Sequence, residues 1–337
     1  MLKINEIDSL FNAFSESKVL IIGDIMVDAY LWGGVDRISP EAPVPIVAVS
    51  KRENRLGGAA NVALNIKALG AKPILCSVIG DDVKGDEFMQ LLDDELMSKE
   101  GILKSKKRIT TTKFRVLGNN TQLLRVDEEI TDSLNNDDKQ LFLERVINII
   151  AQADIKAIVF QDYDKGVIDK EVINTIISKA NALNIPVAVD PKKKNFDFFK
   201  HATFFKPNLK ELKEGMNVNF NSKDRNQLEE AVDNLQIKID CKMLMVTLSE
   251  DGVFIKYRNN QEGKSYHEPA HRRRISDVSG AGDTVISTAT LCLANGIHPA
   301  DLAAISNLAG GLVCEEVGVV PVDKEKLLAE VKKIYSV

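Results

Sequence analysis

The chain has 337 residues, 44% of them apolar and 28% charged, with 44 basic residues against 49 acidic ones and a net charge of −5. That composition excludes a disordered chain and argues against an electrostatic nucleic-acid binder, which needs a basic excess or a basic face. No run approaches the roughly 18 apolar residues that span a membrane, and the length suffices for a large core in one or two domains.

The first 18 residues carry Ile4, Ile7, Leu10, Phe11 and Phe14 at spacings of three and four, which predicts a short amphipathic helix docked on the body. Glu6, Asp8 and Glu16 interrupt any signal-peptide core. A buried strand over 19–22 stops at Gly23-Asp24. Residues 30–52, with prolines 40, 43 and 45, and residues 110–127, a hairpin turning at Gly118-Asn119-Asn120, predict a small antiparallel sheet standing off the body. Between them lie a helix over 58–69, a strand over 74–79 stopping at Gly80-Asp81-Asp82, and a helix over 86–99. Further on, strands over 157–160, 187–189, 203–205 and 243–246 alternate with helices over 137–152, 170–183 and 222–236. They stop at Gln161-Asp162, Asp190-Pro191, Pro207-Asn208 and Thr247. Apolar strands separated by helices mean an α/β fold with a mostly parallel sheet covered on both faces. Ligands bind beyond the carboxyl ends of such strands, where these polar residues gather. Neither a linker nor a repeat divides the chain, so 1–337 reads as one domain with lid segments at 30–52 and 110–127.

Cys76, Cys241, Cys292 and Cys314 sit in apolar runs without Cys-x-x-Cys, the pattern of reduced core thiols in a cytoplasmic protein. The four histidines have no partners at metal-ligand spacing, which argues against zinc.

The strongest chemical motif is Asp277-Val278-Ser279-Gly280-Ala281-Gly282-Asp283-Thr284, followed by a helix over 285–295. Small residues bring backbone amides close to a ligand, and amides at a helix start bind anions. A carboxylate there is unfavourable unless it has a task, such as taking the proton of a hydroxyl that attacks a phosphate. The bland alternative is a glycine turn with Asp283 as a helix cap. Both fit the residues taken alone.

This motif resembles the Asp-Thr/Val-x-Gly-Ala-Gly-Asp signature of the ribokinase-like (PfkB) sugar kinases, and Gly57-Gly58-Ala59-Ala60-Asn61 resembles their N-terminal signature. The resemblance is collinear from Gly23-Asp24 to Gly318. Within the family the chain looks most similar to the D-glycero-D-manno-heptose-7-phosphate kinases of ADP-heptose synthesis. Arg37-Ile38-Ser39-Pro40-Glu41-Ala42-Pro43-Val44-Pro45 is the most distinctive segment, with Thr112 to Leu117, Asp162-Tyr163-Asp164-Lys165-Gly166 and Asp190-Pro191-Lys192 in agreement.

The resemblance implies a ribokinase-like three-layer fold with a β lid. It also implies phosphorylation of the anomeric 1-hydroxyl of a heptose 7-phosphate by ATP with Mg²⁺. Asp283 would be the base, and the amides of Gly280, Ala281, Gly282 and Asp283 would hold the developing charge. Asp28, Gly57, Gly58 and Asn61 would bind the sugar; the same residues suit a strand-end cap, a tight turn and a helix start. Asn208 and Glu211 match the family's Asn-x-x-Glu motif, which organises magnesium and phosphates through water, and equally form a capping box. Thr247, Ser249 and Gly252 resemble the nucleotide-side turn. A helix over 300–314 with Asn307, Gly310 and Gly311 resembles the one beside the adenine, though small residues also serve helix packing. Lys113, Arg115, Arg125 and Lys165 are the candidates for gripping a sugar phosphate, whereas Lys104, Lys106, Lys107 and Arg108 read as a solvated loop and 271–274 as a solvated basic strand.

Two departures stand out: Ser279 where threonine is usual, and Gln161 where serine is common. Neither is expected to touch the base. No histidine begins the His-x-Gly-His of an adenylyltransferase, so only the kinase half of that chemistry is expected. The exposed edges and apolar Ile46, Val47 and Val49 of a projecting lid predict a homodimer formed through it. The nearest rival is a ribokinase-like kinase for another sugar or sugar phosphate; the rival from another class is a sugar-binding regulator without activity, and retention of Asp283 speaks against it.

Overall fold

The structure, a computed structural model, describes residues 2–119, 121–259, 262–271 and 273–336. Helix α1 (Ile4–Ala13) precedes β1 (Lys18–Gly23), which passes almost directly into β2 (Ile25–Ile38) and β3 (Pro45–Gly58). Next come α2 (Ala59–Ala68), β4 (Lys72–Gly80), α3 (Val83–Asp94), β5 (Ile102–Ser105), β6 (Thr112–Gly118) and β7 (Thr121–Glu128). Then follow α4 (Asn136–Gln152), β8 (Ile155–Gln161), α5 (Lys170–Ala182), β9 (Val187–Asp190), β10 (Phe204–Phe205), α6 (Leu209–Met216), α7 (Arg225–Ile239) and β11 (Met243–Thr247). The chain closes with β12 (Val253–Asn259), β13 (Glu262–Glu268), α8 (Ala281–Ala294), α9 (Pro299–Val313) and α10 (Lys324–Tyr335).

Among the described residues, nine strands form the main sheet in the order β13-β12-β11-β10-β9-β8-β1-β4-β5. All its pairs are parallel from β11 to β5, and only β12 and β13 run antiparallel. Successive strand residues face opposite layers. Val19 and Ile21 pack with α1, α2, α8 and α9, whereas Leu20 and Ile22 pack with α4, α5 and α7. Two separate apolar cores result, one on each face, as the unbroken apolar strands require.

The second sheet, in the order β3-β2-β6-β7, is the lid. Its two hairpins are antiparallel, and the β2/β6 pair that joins them is parallel. Both 14-residue strands of the first hairpin are buried at the end rooted in the body; burial falls steadily to the tip along β2, whereas in β3 Ile46 and Val47 near the tip are half-buried again. Asn119 occupies the second hairpin's turn with φ of 51°, and Asn120 lies outside the described residues.

Several boundaries differ from expectation for local reasons. Asp82 caps α3 by accepting from the amide of Gly85, so that helix starts three residues early, at Val83. The N-terminal helix spans only Ile4–Ala13 and leaves Ile4 exposed, while Ile7, Leu10, Phe11 and Phe14 are buried as the pattern requires. The basic residues are not simply solvated. Arg108 donates to the carbonyl oxygens of Lys165 and Ile130. Lys104 and Lys107 pair with Asp86 and Asp137. Arg273 is packed against Glu315 and Glu330 at 3.1 and 3.2 Å, while Arg272 lies outside the described residues. The four cysteines are buried and unbridged. No helix among the described residues is long and apolar enough to cross a membrane.

Candidate active site

The polar residues that end the parallel strands do converge. The sheet register sets Gly23, Gln161 and Asp190 side by side at the carboxyl ends of β1, β8 and β9. Lys206 follows β10, and Asn208 bridges to Thr247 at the end of β11. Across this edge lies the first turn of α8, with Asp283 in it. Its N-cap Gly280 has φ of 81°, a left-handed conformation that costs glycine nothing. A side chain at Gly280 would also approach Val319 and the amide nitrogen of Asn61 within about 3.2 Å. Asp277 ties the turn down by accepting from the amides of Ser279 and Gly318 at 2.9 and 3.1 Å.

The side chain of Asp283 is 7% exposed and is held by three donors. Asn61 Nδ2 lies 2.7 Å from Oδ2, while Tyr163 Oη and Gln161 Nε2 lie 2.7 and 3.2 Å from Oδ1. Burial pushes the carboxyl up to about 6, against the pull of Asn61 and Tyr163. The result is an oriented carboxylate, ionised at neutral pH, whose proton affinity would suit general-base work. Gln161 therefore does touch the base, contrary to the expectation from sequence. It is the last residue of β8, and its amide spans the gap to Asp190 Oδ2 at 3.3 Å as well. A serine could not reach both carboxylates.

Asn61 stands on α2, which packs along α8. One turn on, Asn65 accepts from Thr284 Oγ1 at 3.0 Å and from the amide of Val322 at 3.1 Å. Those bonds fix the two helices in register, and Asn61 meets Asp283 as a consequence. Asp28, near the root of β2, pairs with Arg115 at 2.5 Å. Gly57 lies diagonally across from it, paired with Met26, and a side chain there would collide with the Asp28 carboxylate. Asp28 and Asn61 line one end of a cavity of about 370 Å³ that also reaches Asn54, Arg55 and Lys67.

The proposed phosphate-gripping cations divide. Lys113 and Arg115 share a face of β6. Arg115 is tied to Asp28 and stacks over Tyr30, while Lys113 has no ion pair among the described residues and stands 5.7 Å from the ring of Tyr163. Lys165 pairs instead with Glu129 at 2.8 Å, and Arg125 with Asp127 at 3.0 Å on the outer strand. Arg55, missed from sequence, lines the cavity itself and stacks over Tyr30 from the other hairpin strand.

On the opposite side of Asp283, Asn208 and Glu211 form the capping box of α6, with bonds of 2.8 Å in each direction, and Glu211 also pairs with Lys192. Lys206, another residue sequence reasoning missed, is 2% exposed and lies 3.0 Å from Asp190. Its ammonium would stand 4.0 Å from a side chain at Gly282, which places a buried positive charge beside the amides of the α8 turn. Among the described residues no group of three or more metal-binding side chains could cage a metal. A single buried carboxylate such as Glu211, next to an anion site, suits Mg²⁺ carried mainly by phosphates and water.

The turn after β11 holds Ser249 and Gly252, both with positive φ. Asn307 on α9 donates to the carbonyl of Pro269 at 3.0 Å. Gly310 is small for packing, because a side chain there would strike Val285 of α8, whereas Gly311 faces only the Arg273 side chain.

A family model described as pfkB family carbohydrate kinase matches residues 16–326. The chain is 38% identical over 301 residues to the "Bifunctional protein HldE" of Helicobacter pylori strain G27, covering 89% of this chain and 63% of that protein. It is 35% identical over 328 residues to the protein of the same name from Geotalea uraniireducens, covering 97% and 65%. The chain thus spans somewhat less than two thirds of the length of these relatives. Among solved structures, phosphofructokinase-2 from Escherichia coli in complex with potassium superposes with a TM-score of 0.77 at 18% identity, over 95% of this chain and 99% of that one. Arabidopsis thaliana ribokinase complexed with ribose and ATP superposes with a TM-score of 0.70 at 16% identity, over 94% and 98%. At those identities the superpositions speak for the fold.

Proposed function

The chain belongs to the pfkB family of carbohydrate kinases and is an ATP-dependent kinase, and from that premise we propose that it phosphorylates the anomeric 1-hydroxyl of D-glycero-D-manno-heptose 7-phosphate, giving the 1,7-bisphosphate for ADP-heptose synthesis. The observation that carries the chemistry is the buried Asp283 carboxylate, oriented by three donors and set in the first turn of α8. The acceptor assignment rests on the Arg37–Pro45 resemblance and the relatives named above. ATP as donor and four reduced, buried cysteines fit a cytoplasmic setting.

In this reading the sugar lies in the cavity under the lid, its hydroxyls on Asp28 and Asn61, its distal phosphate near Lys113 and Arg55. The 1-hydroxyl points at Asp283, which takes its proton as oxygen attacks the γ-phosphorus and the bond to the β-phosphate oxygen breaks. Amides of Gly280 to Asp283 and the Lys206 ammonium face the charge that builds on the transferred group. Thr247, Ser249, Gly252 and Asn307 border the nucleotide. Mg²⁺ would neutralise the ATP phosphates, with Glu211 and Asn208 holding it through water. The lid excludes water from the transfer.

An ATP-consumption assay over a sugar-phosphate panel tests this directly. Turnover should be far higher on heptose 7-phosphate than on ribose, fructose or fructose 6-phosphate. Ribose or fructose as the better acceptor would overturn the heptose assignment and leave the kinase standing.

The functional unit in this reading is a dimer through the lid. The segment that carries most of the heptose-kinase resemblance sits at the exposed hairpin tip, away from Asp283. Ile38, Val44, Val49, Leu124 and Val126 are all exposed on the lid, and the buried indole nitrogen of Trp32 finds no acceptor among the described residues. A second lid packed on the first would cover this apolar area and the edge amides. Light scattering at micromolar concentration should give two copies. Val47→Asp should give a monomer with reduced activity, and a fully active wild-type monomer would refute the dimer.

A further inference from the structure

The loop after β8 is fastened more heavily than a sugar-binding loop requires. Asp24, 1% exposed, accepts from the amides of Tyr163, Lys165 and Val167 at 2.9, 3.0 and 3.0 Å. Asp162, equally buried, accepts from the amide of Asp164 at 2.9 Å and from Asn195 Nδ2 at 3.0 Å. Arg108 donates to the carbonyl of Lys165 from the other side. Three charged side chains and an asparagine are thus spent on five residues. What the fastening delivers is one hydroxyl: Tyr163 Oη, 2.7 Å from Asp283 Oδ1.

We propose that Tyr163 is a positioning residue that orients the Asp283 carboxylate and keeps it in the proton-accepting form, with Asp24 as the anchor that fixes the tyrosine. The inference rests on Asp283 being the base. A carboxylate buried to this degree gains from every donor, because each bond stabilises the charged form. Tyr163 is itself a secure donor: burial, and next the charge of Asp283, hold its phenol protonated. The other charges facing this pair are Asp190 and Lys206 from the strand ends, Lys192 from the loop after β9 and Lys113 from the lid. The two lysines flank the tyrosine ring at 5.7 Å each, and both remain in a phenylalanine variant. Gln161 and Asn61 would still hold the carboxylate, so losing the Tyr163 hydroxyl loosens its orientation without releasing it.

The direction of the effect follows from the sign of the interaction. Activity falls as pH drops through the pKa of a base. A donor lowers that pKa, and removal of the donor raises it. Tyr163→Phe should therefore move the acid limb of kcat/KM upward by about one pH unit, a tenfold change in proton affinity, while turnover well above the limb stays within severalfold of wild type. Loss by one constant factor at all pH values, with the limb unmoved, would overturn the proposal. The carboxyl carbon of Asp283, followed by NMR in aspartate-labelled protein and identified by its absence in Asp283→Asn, should titrate higher in Tyr163→Phe; an unchanged titration would overturn the proposal equally. The NMR arm needs no substrate. A protein inactive on every sugar phosphate would therefore sink the functional reading while the titration still decided the role of Tyr163. Asp24→Asn weakens the anchor without touching the base and should move the same limb in the same direction, by less.

Discussion

Replacing Asp283 with asparagine should lower turnover by about 10²–10⁴-fold while ATP still binds. Asparagine keeps the shape of the side chain: its carbonyl oxygen can accept from Tyr163 and Gln161, and its NH2 can donate to Asn61 once the Asn61 amide turns its oxygen toward it, so the fold and the α8 turn persist. What disappears is the acceptor for the attacking hydroxyl's proton. The anion site is built from backbone amides and Lys206, none of which the substitution removes, so nucleotide affinity survives and the loss falls on the chemical step. The variant should also lose the acid limb, because the titrating base has gone, so the loss is full above about pH 6 and shrinks below it. Steady-state kinetics with a parallel nucleotide-binding measurement checks this, and near-normal turnover would remove Asp283 from the mechanism.

The second large effect concerns stability. Lys206→Met should destabilise the protein by roughly 3–5 kcal/mol, the usual cost of leaving one member of a buried ion pair alone. Lys206 and Asp190 are 2% and 6% exposed and lie 3.0 Å apart. Methionine fills the space of the lysine stem but leaves the Asp190 carboxylate with Gln161 as its remaining side-chain donor. The double variant Lys206→Met with Asp190→Asn removes both charges and should regain much of the loss. Urea midpoints at unchanged slope report the difference. A loss below about 1 kcal/mol would mean that the pair is solvated in a way its burial denies.

Much of the fold was legible because parallel strands buried on both faces announce themselves as short apolar runs, and their polar stops mark the binding edge. The position of Asp283, the proposed base, was legible for the same reason: local spacing alone puts a carboxylate into the first turn of a helix. The partners of that base were not legible. Gln161, Tyr163 and Asn61 come from β8, the loop after it and α2. Only the lateral order of the strands, which no local spacing encodes, brings them onto one carboxylate. The Lys206–Asp190 pair was hidden similarly, since each residue closes a different strand. The partners of the proposed phosphate-gripping cations were not legible, because spacing shows which residues share a face of a strand but not which carboxylates oppose them. Lys165 meets Glu129, and Lys113 meets none among the described residues. The last helix, α10, carries a clear apolar stripe in Leu327 and Val331 that the motif search passed over.

The lid hairpin is a cantilever whose clamp is the proposed sugar pocket. β2 leaves the body one residue after β1 ends, and β3 runs into α2 through Gly57-Gly58. Asp28 and the two glycines therefore stand near the fulcrum, and beyond them the arm meets the body close to its root, where Asn54 donates to Glu87 of α3 at 2.8 Å, while its tip projects. A bend at that root rotates the very groups that grip the acceptor. If Asp28 holds the acceptor as proposed, opening the lid loosens that grip in the same motion. Leverage also runs the other way: a load on the distant tip, such as a second lid leaning on it, acts with its full arm on Asp28. Sequence drift at the tip can thereby retune acceptor affinity without altering a single residue of the pocket.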